Sequence, residues 1–255
     1  MAVKVKGTMK VKGPVDLRGA ITLITAGPTW EYIDDVRFLG NPSTGLMGME
    51  LARAAQRLGA SVTVVCGPTH LQPPPGVAFV PVVSAQEMLE AVSERFDRAH
   101  VFIASAAVSD YRPAERVRGK IKKSDHDMTL KLVRNPDVLR SMGQRRRDDQ
   151  VMVGFSLEAA NEVEYAKGKM TDKHCDLMVV NTPLHFGDTK EFVRILSPAG
   201  LVAELPPSTK AQVADAIVDL AARLYMGQKI PPLQKFEGKT STRKRPAAEE
   251  GGAKT

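Results

Sequence analysis

Ile21–Ala26 is a short, β-branched apolar run that stops at Gly27-Pro28-Thr29, and Asn41-Pro42-Ser43-Thr44-Gly45-Leu46-Met47-Gly48 soon afterwards opens an amphipathic stretch. Met47, Leu51, Ala54, Ala55 and Leu58 recur at helical spacing, and Gly59 stands where such a helix ends. Ser61–Cys66 then reads as a second buried strand. Strand, helix, strand in that order favours a right-handed parallel crossover and an α/β layout. The two turns also place backbone N–H groups of a strand end and a helix start on one concave surface, which suits phosphate. A nucleotide or a phosphorylated substrate is the expected ligand class.

The alternation persists downstream. Residues 77–82 read as a strand, 84–96 as a helix with Ser84 as N-cap and Glu87 three residues on, and 101–104 as a strand. Residues 105–126 form a polar segment too long for a routine connection, hence a candidate functional loop. Beyond it, 128–133 alternates like a strand, 136–142 like a short helix and 151–155 like a strand. Residues 158–173 are helical in pattern, 177–180 form a strand running into Asn181, and 192–196 with 201–205 resemble a hairpin around Pro198-Ala199-Gly200. A helix over 208–225 closes the pattern. The expected fold class is α/β: a three-layer, Rossmann-like domain with a mainly parallel sheet and a small β-hairpin extension.

Charge placement sharpens the organisation. The net charge of +7 resides in the two ends, which leaves the folded part near neutral. Residues 1–18 read as a flexible basic N-terminal segment, 19–227 as the domain, and 228–255, rich in Pro, Lys, Glu and Gly, as a disordered basic C-terminal tail. Nucleic-acid binding needs a basic face on the fold itself, so no nucleic acid is expected as partner. Two cysteines, Cys66 and Cys175, fit a reduced compartment with buried, unpaired thiols. No run is long enough to cross a bilayer and no signal-peptide core is present, so a soluble, cytoplasmic protein without membrane association is expected.

In an open α/β sheet, ligands gather at the carboxyl ends of the strands near a switch point. The residues there are Gly27-Pro28-Thr29, Ala106-Ala107-Val108-Ser109-Asp110, Phe155 and Asn181. Their small side chains let a ligand approach the backbone, and tight strand-to-helix turns account for them equally. Around residues 41–48, Ser43 or Thr44 can cap the helix while Gly45 and Gly48 expose amide donors to an anion, with Asn41 as an uncharged donor and acceptor beside it. An ordinary capped helix is the bland alternative. Lys120-Ile121-Lys122-Lys123 lies in the long loop, where a lysine can neutralise charge developing at phosphorus. Lys169 and Lys173, four apart, can clamp a polyphosphate together, although both lysine groups also suit a solvated face. The five histidines are scattered and no Cys cluster exists, so no protein-held metal is expected. Gly27-Pro28-Thr29 is not a G-x-G-x-x-G turn and Cys66-Gly67 ends the second strand without an acidic residue, which leaves an NAD(P)-dependent oxidoreductase as the runner-up enzyme class.

Taken in order, Ile24-Thr25-Ala26-Gly27-Pro28-Thr29, Ile33-Asp34-Asp35-Val36-Arg37-Phe38, the 41–48 loop, Ala106-Ala107-Val108-Ser109-Asp110-Tyr111-Arg112-Pro113, Lys120-Ile121-Lys122-Lys123, Asn135-Pro136-Asp137, Val153-Gly154-Phe155 and residues 176–181 resemble the phosphopantothenate–cysteine ligases, over about residues 17–225. The resemblance implies a step of coenzyme A synthesis: the carboxylate of 4′-phosphopantothenate attacks the α-phosphate of a nucleoside triphosphate, and cysteine opens the resulting acyl nucleotide. It implies that Asn41 holds the acyl group, that Ala106, Ala107 and Asp110 shape the substrate pocket, and that Arg37 binds the substrate phosphate from the neighbouring subunit of a homodimer. Gly27, Ser43, Gly45, Gly48, Asp110, Phe155 and Asn181 would surround the nucleotide, with Lys169 and Lys173 on its phosphates and Lys120 stabilising the first transfer. CTP is favoured as co-substrate over ATP, and Mg²⁺ would bind through the nucleotide phosphates. Leu46 departs from the family's usual lysine or arginine, which motivates a second reading as a catalytically degenerate nucleotide-binding module. Many bacterial members carry a flavin-dependent decarboxylase ahead of this domain. This chain is expected to hold no flavin and to be either a stand-alone ligase or an isolated half, with a separate decarboxylase as a candidate partner.

Overall fold

The structure, a computed structural model, describes residues 13–157, 162–181 and 191–233. The expected helix start at 158 and most of the residues assigned to the two basic ends lie outside the described residues. Among those described, the main sheet has eight strands. Its parallel part runs β5 (Ala78–Pro81), β4 (Ser61–Cys66), β1 (Ile21–Ala26), β6 (Val101–Ala104), β9 (Val151–Leu157) and β10 (Leu177–Asn181). β11 (Glu191–Ser197) and β12 (Gly200–Ser208) continue it antiparallel, which is the hairpin extension expected from the sequence. Helices cover both faces, so the central parallel strands are buried on both sides and read as near-continuous apolar runs.

One face carries α1 (Leu46–Arg57) and α5 (Lys210–Tyr225), which pack Met49, Leu51, Ala55, Val213 and Ile217 against Ile24, Val64 and Ile103. The other carries α2 (Ala85–Phe96), α3 (Val138–Gly143) and α4 (Glu162–Asp172), where Met88, Phe96, Met142 and Met170 meet Leu23, Phe102 and Met152. Ser84 caps α2 by accepting the Glu87 N–H, as the sequence predicts. α5 begins two residues later than the expected 208: Thr209 is its N-cap, with Gln212 completing a capping box.

Two small strand pairs go beyond the expectation. β2 (Trp30–Tyr32) pairs with β3 (Phe38–Gly40), and β7 (Tyr111–Pro113) pairs with β8 (Leu132–Arg134). The strand expected over 128–133 is therefore confined to its end, because the partner inside the long loop is only three residues long. The packed unit also reaches past 19–227. Leu17, in the segment read as flexible and basic, is fully buried and its N–H donates to the Leu58 carbonyl. Ile230, in the segment read as the tail, is buried, and the Leu233 N–H donates to the Leu201 carbonyl.

Candidate active site

The chain leaves β1 toward β4 and β5 on one side and later returns to β6 on the other, so the carboxyl ends of β1 and β6 frame a topological switch point. Gly27 follows β1 with φ +73°, and a Cβ there would meet the Gly67 carbonyl oxygen at 2.9 Å. Gly45 has φ +82°, and its Cβ would stand 3.3 Å from the Gly27 nitrogen and Cα. The two glycine turns singled out in the sequence are therefore in contact. Gly48 also has a packing role: a Cβ would lie 2.3 Å from the Ala26 Cβ, so its bareness lets α1 press onto the end of β1.

The cap of α1 also differs from expectation. Gly45 is the N-cap residue and has no side chain to cap the helix, Thr44 Oγ1 accepts only the Leu46 N–H at a long 3.4 Å, and no acidic residue occupies the first turn. Ser43 Oγ accepts from the Gly45 N–H at 3.3 Å, so the serine hydroxyl falls short of the helix by its register. The positive end of the helix dipole is thus left for an anion beside the Gly27 turn.

Across the crevice, the Ala107 N–H donates to the Gly27 carbonyl at 2.9 Å and Pro28 bridges to Ala107. Asn41 Nδ2 donates to the Ala107 and Val108 carbonyls, both at 3.2 Å, which fixes this exposed side chain over the 106–108 backbone. Asp110 is exposed, and its backbone is held by Asn135, whose N–H donates to the Asp110 carbonyl and whose Nδ2 donates to the Ser109 carbonyl, both at 2.8 Å. Buried Thr29 supplies a further tie, since its Oγ1 accepts the Ser109 N–H at 3.0 Å. Sequence reading attached no role to Thr29 or Asn135, because a hydroxyl and an amide in turns carry no periodic signal.

Arg37 and Lys120 belong to a second cluster. Fully buried Asp34 accepts the N–H groups of Val36, Arg37 and Ile121 at 2.7–3.0 Å, and the Arg37 guanidinium at 3.1 Å. Burial pushes the Asp34 pKa up, but those amides and the Arg37 charge outweigh it and hold the carboxyl below its ordinary value. Asp35 accepts the Gly119 N–H at 2.7 Å and the Arg116 guanidinium at 2.9 Å. The exposed Lys120 side chain is therefore carried between two amides that adjacent carboxylates hold.

The third group lies along β9, β10 and α4. Phe155 is half-buried and pairs in register with Val179, while Asn181 ends β10 with a buried Oδ1 that no described residue engages. Lys169 sits in the last turn of α4, and the Lys173 N–H donates to its carbonyl at 3.0 Å, which preserves the shared face. The Lys173 ammonium is 2.9 Å from Asp137 Oδ2, and Asp137 in turn caps α3 through the Arg140 N–H. Burial would raise the Asp137 pKa, yet the Arg140 amide and Lys173 hold it below its ordinary value. Asn135-Pro136-Asp137 thus links the Asp110 turn to Lys173. At the tip of β4, Gly67 packs so closely on the Pro28 carbonyl that a Cβ would stand 1.6 Å from its oxygen, and no acidic side chain occupies this position. Among the described residues no three His, Cys, Asp or Glu side chains gather as a metal site.

The family model of the DNA/pantothenate metabolism flavoprotein C-terminal domain matches residues 17–225. The chain belongs to this family. It is similar to the coenzyme A biosynthesis bifunctional protein CoaBC of Bacillus subtilis, with 41% identity over 213 residues that cover 82% of this chain and 52% of that protein. The crystal structure of the C-terminal domain of a CoaBC protein is 40% identical with a TM-score of 0.72, covering 83% of this chain and 98% of that one. Cab2, solved as an H337A mutant in complex with phosphopantothenate-cysteine, is 17% identical with a TM-score of 0.70 over 82% of this chain and 88% of its own, a likeness of fold alone. The chain spans about half the length of the curated CoaBC relatives it matches. No helix of the described residues is long and apolar enough to cross a membrane.

Proposed function

We propose that this domain joins 4′-phosphopantothenate to cysteine through an acyl nucleotide, as a phosphopantothenate–cysteine ligase acting in coenzyme A synthesis. The observation that carries this reading is the contact between the Gly27 and Gly45 turns at the glycine-capped start of α1, with Asn41 anchored across the same crevice. Family membership and the CoaBC relatives support it. A carboxylate is a poor acyl donor until one of its oxygens becomes part of a phosphate leaving group. Its oxygen attacks the α-phosphorus, the bond to the β-phosphate oxygen breaks and pyrophosphate leaves. The cysteine amine then attacks the acyl carbon, loses a proton and expels the nucleoside monophosphate.

In this reading Gly27, Gly45 and the α1 amides bind phosphate oxygens, with Ser43 and Gly48 shaping that turn, and Asn41 holds the acyl group against Ala106 and Ala107. Lys120 offsets the charge that develops on the first transfer, and Arg37 binds the phosphate of phosphopantothenate. Phe155, Asn181 and Asp110 flank the nucleotide, with Lys169 and Lys173 on its phosphates. CTP is the favoured co-substrate. Mg²⁺, held by nucleotide oxygens, would neutralise phosphate charge when bound. A cytoplasmic homodimer completes the reading, with Arg37 reaching the neighbouring site, and a flavin-dependent decarboxylase is the partner proposed for the preceding step. The exposed apolar side chains Val36, Phe38, Tyr111, Val117, Met128 and Leu132 on the two small hairpins and their loop support such an assembly. Pyrophosphate release with phosphopantothenate, cysteine and CTP or ATP in turn tests both the reaction and the nucleotide.

A second reading, a degenerate nucleotide-binding module, is favoured by Leu46, an apolar residue that opens α1 where the phosphates would lie. Nucleotide binding with no acyl nucleotide formed would establish it.

A further inference from the structure

We propose that Asp34 is a positioning residue that joins Arg37 and the Lys120 segment into one unit, so that both cations serve the same catalytic cleft. The proposal rests on the ligase reading for what the cations do, but the coupling itself is drawn from contacts. Asp34 Oδ1 accepts the Val36 and Arg37 amides at 2.8 and 2.7 Å, and Oδ2 accepts the Arg37 guanidinium at 3.1 Å and the Ile121 amide at 3.0 Å. The same guanidinium donates to the Ile121 carbonyl at 3.3 Å, so Arg37 and Ile121 are bonded to each other as well as to one carboxylate.

The zipper extends beyond these residues. Val117 N–H donates to the Ile33 carbonyl at 2.9 Å, Asp35 N–H to the Gly119 carbonyl at 3.2 Å, and Gly119 N–H to Asp35 Oδ2 at 2.7 Å. Arg116 lies over the Tyr32 ring at 4.8 Å. Lys120 is thus strapped on both sides to the hairpin that carries Arg37, and its own side chain is exposed. Because Asp34 is fully buried and accepts from both partners, the Arg37 turn cannot shift relative to the Lys120 segment without stranding a buried charge. A substrate phosphate that draws in Arg37 therefore brings Lys120 with it, which links recognition of the phosphorylated end to the first chemical step.

The test separates the two half-reactions in the wild type, Asp34→Asn, Lys120→Gln and the double variant, with amide hydrogen exchange read at residues 119–121. Asp34→Asn is expected to slow acyl-nucleotide formation by roughly tenfold or more while cysteine addition to preformed acyl nucleotide stays within about twofold. At saturating phosphopantothenate, where Arg37's share in binding no longer limits the rate, the same change in the Lys120→Gln background should add little, since the lost placement concerns a lysine already removed. Exchange at Ile121 should rise. Asp35→Asn, at an exposed position that spares the fold, should act in the same direction with a smaller effect. Additive slowing, equal slowing of both half-reactions, or unchanged exchange at Ile121 would overturn the proposal. A wild type that releases no pyrophosphate defeats the ligase reading instead, and the exchange measurement then decides the coupling alone.

Discussion

Gly48 lies against Ala26 with no room for a methyl group between them: an added Cβ would stand 2.3 Å from the alanine Cβ. This contact sets how far the start of α1 sits from the Gly27 turn, and with it the width of the anion cradle. Gly48→Ala must push the helix off the strand, with a cost of about 1–3 kcal/mol for overpacking a tight site. Gly168, exposed within α4 with nothing within 4 Å of its added Cβ, is the contrast. Gly168→Ala should stabilise the protein by about 0.5–1 kcal/mol, because alanine loses less backbone freedom in a helix. Denaturant unfolding of the two variants checks both signs.

Asp137 combines two duties, capping α3 and holding the Lys173 ammonium. Asparagine keeps an oxygen for the cap but lacks the charge. Asp137→Asn should therefore leave stability within about 0.5 kcal/mol, whereas Asp137→Ala loses about 1 kcal/mol from the cap. Both should raise the apparent KM for the nucleotide through Lys173. Thermal unfolding paired with nucleotide titration separates the duties, and an unchanged KM in both variants would remove Lys173 from the phosphate site.

Acid should loosen the clasp between the β2–β3 hairpin and the Lys120 segment. For Asp34, amide bonds and Arg37 overcome the effect of burial. For Asp35, the Gly119 amide and then Arg116 lower the pKa. Carboxyls depressed in the folded state contribute stability that is complete above their ordinary pKa and is lost as pH falls through the lower native value. Trp30, the single tryptophan, stacks on Phe38 with centroids 4.1 Å apart and reports on this hairpin. Its fluorescence should change in the wild type only once the pH falls below the ordinary carboxyl value of about 4. The change should be absent from the Asp34→Asn, Asp35→Asn double variant.

Burial pushes the Cys66 thiol up to about 11 and, with Asp176 adding to burial, the Cys175 thiol up to about 12. Both remain protonated and shielded at neutral pH, so neither competes with substrate cysteine for an activated acyl group. A thiol reagent at pH 8 should label neither in the folded protein and both in denaturant. Rapid labelling of the native state would contradict the buried placement.

The central layers were legible because burial on both faces leaves a direct trace in composition. β1 and β4 fall where their apolar runs do, and Ser84 marks α2 through its cap. β2, β3 and β7 were not legible, and only the first two residues of β8 fall inside the strand expected over 128–133, since three-residue strands with exposed positions make no run long enough to show a period. The glycine turns at 27 and 45 were visible as a pair, but their contact needed the third dimension, and so did the packing of Gly48 on Ala26. Asp34 gave no local sign of its role. Its partner Ile121 lies far along the chain, in a segment whose lysines drew attention to charge rather than to backbone amides.

Withholding cysteine tests the central claim most directly. With phosphopantothenate, Mg²⁺ and CTP, the account predicts a burst of pyrophosphate on the scale of one per site, accompanied by an acyl cytidylate detectable by mass spectrometry and consumed when cysteine is added. Nucleotide bound with no acyl nucleotide formed from either CTP or ATP would contradict it.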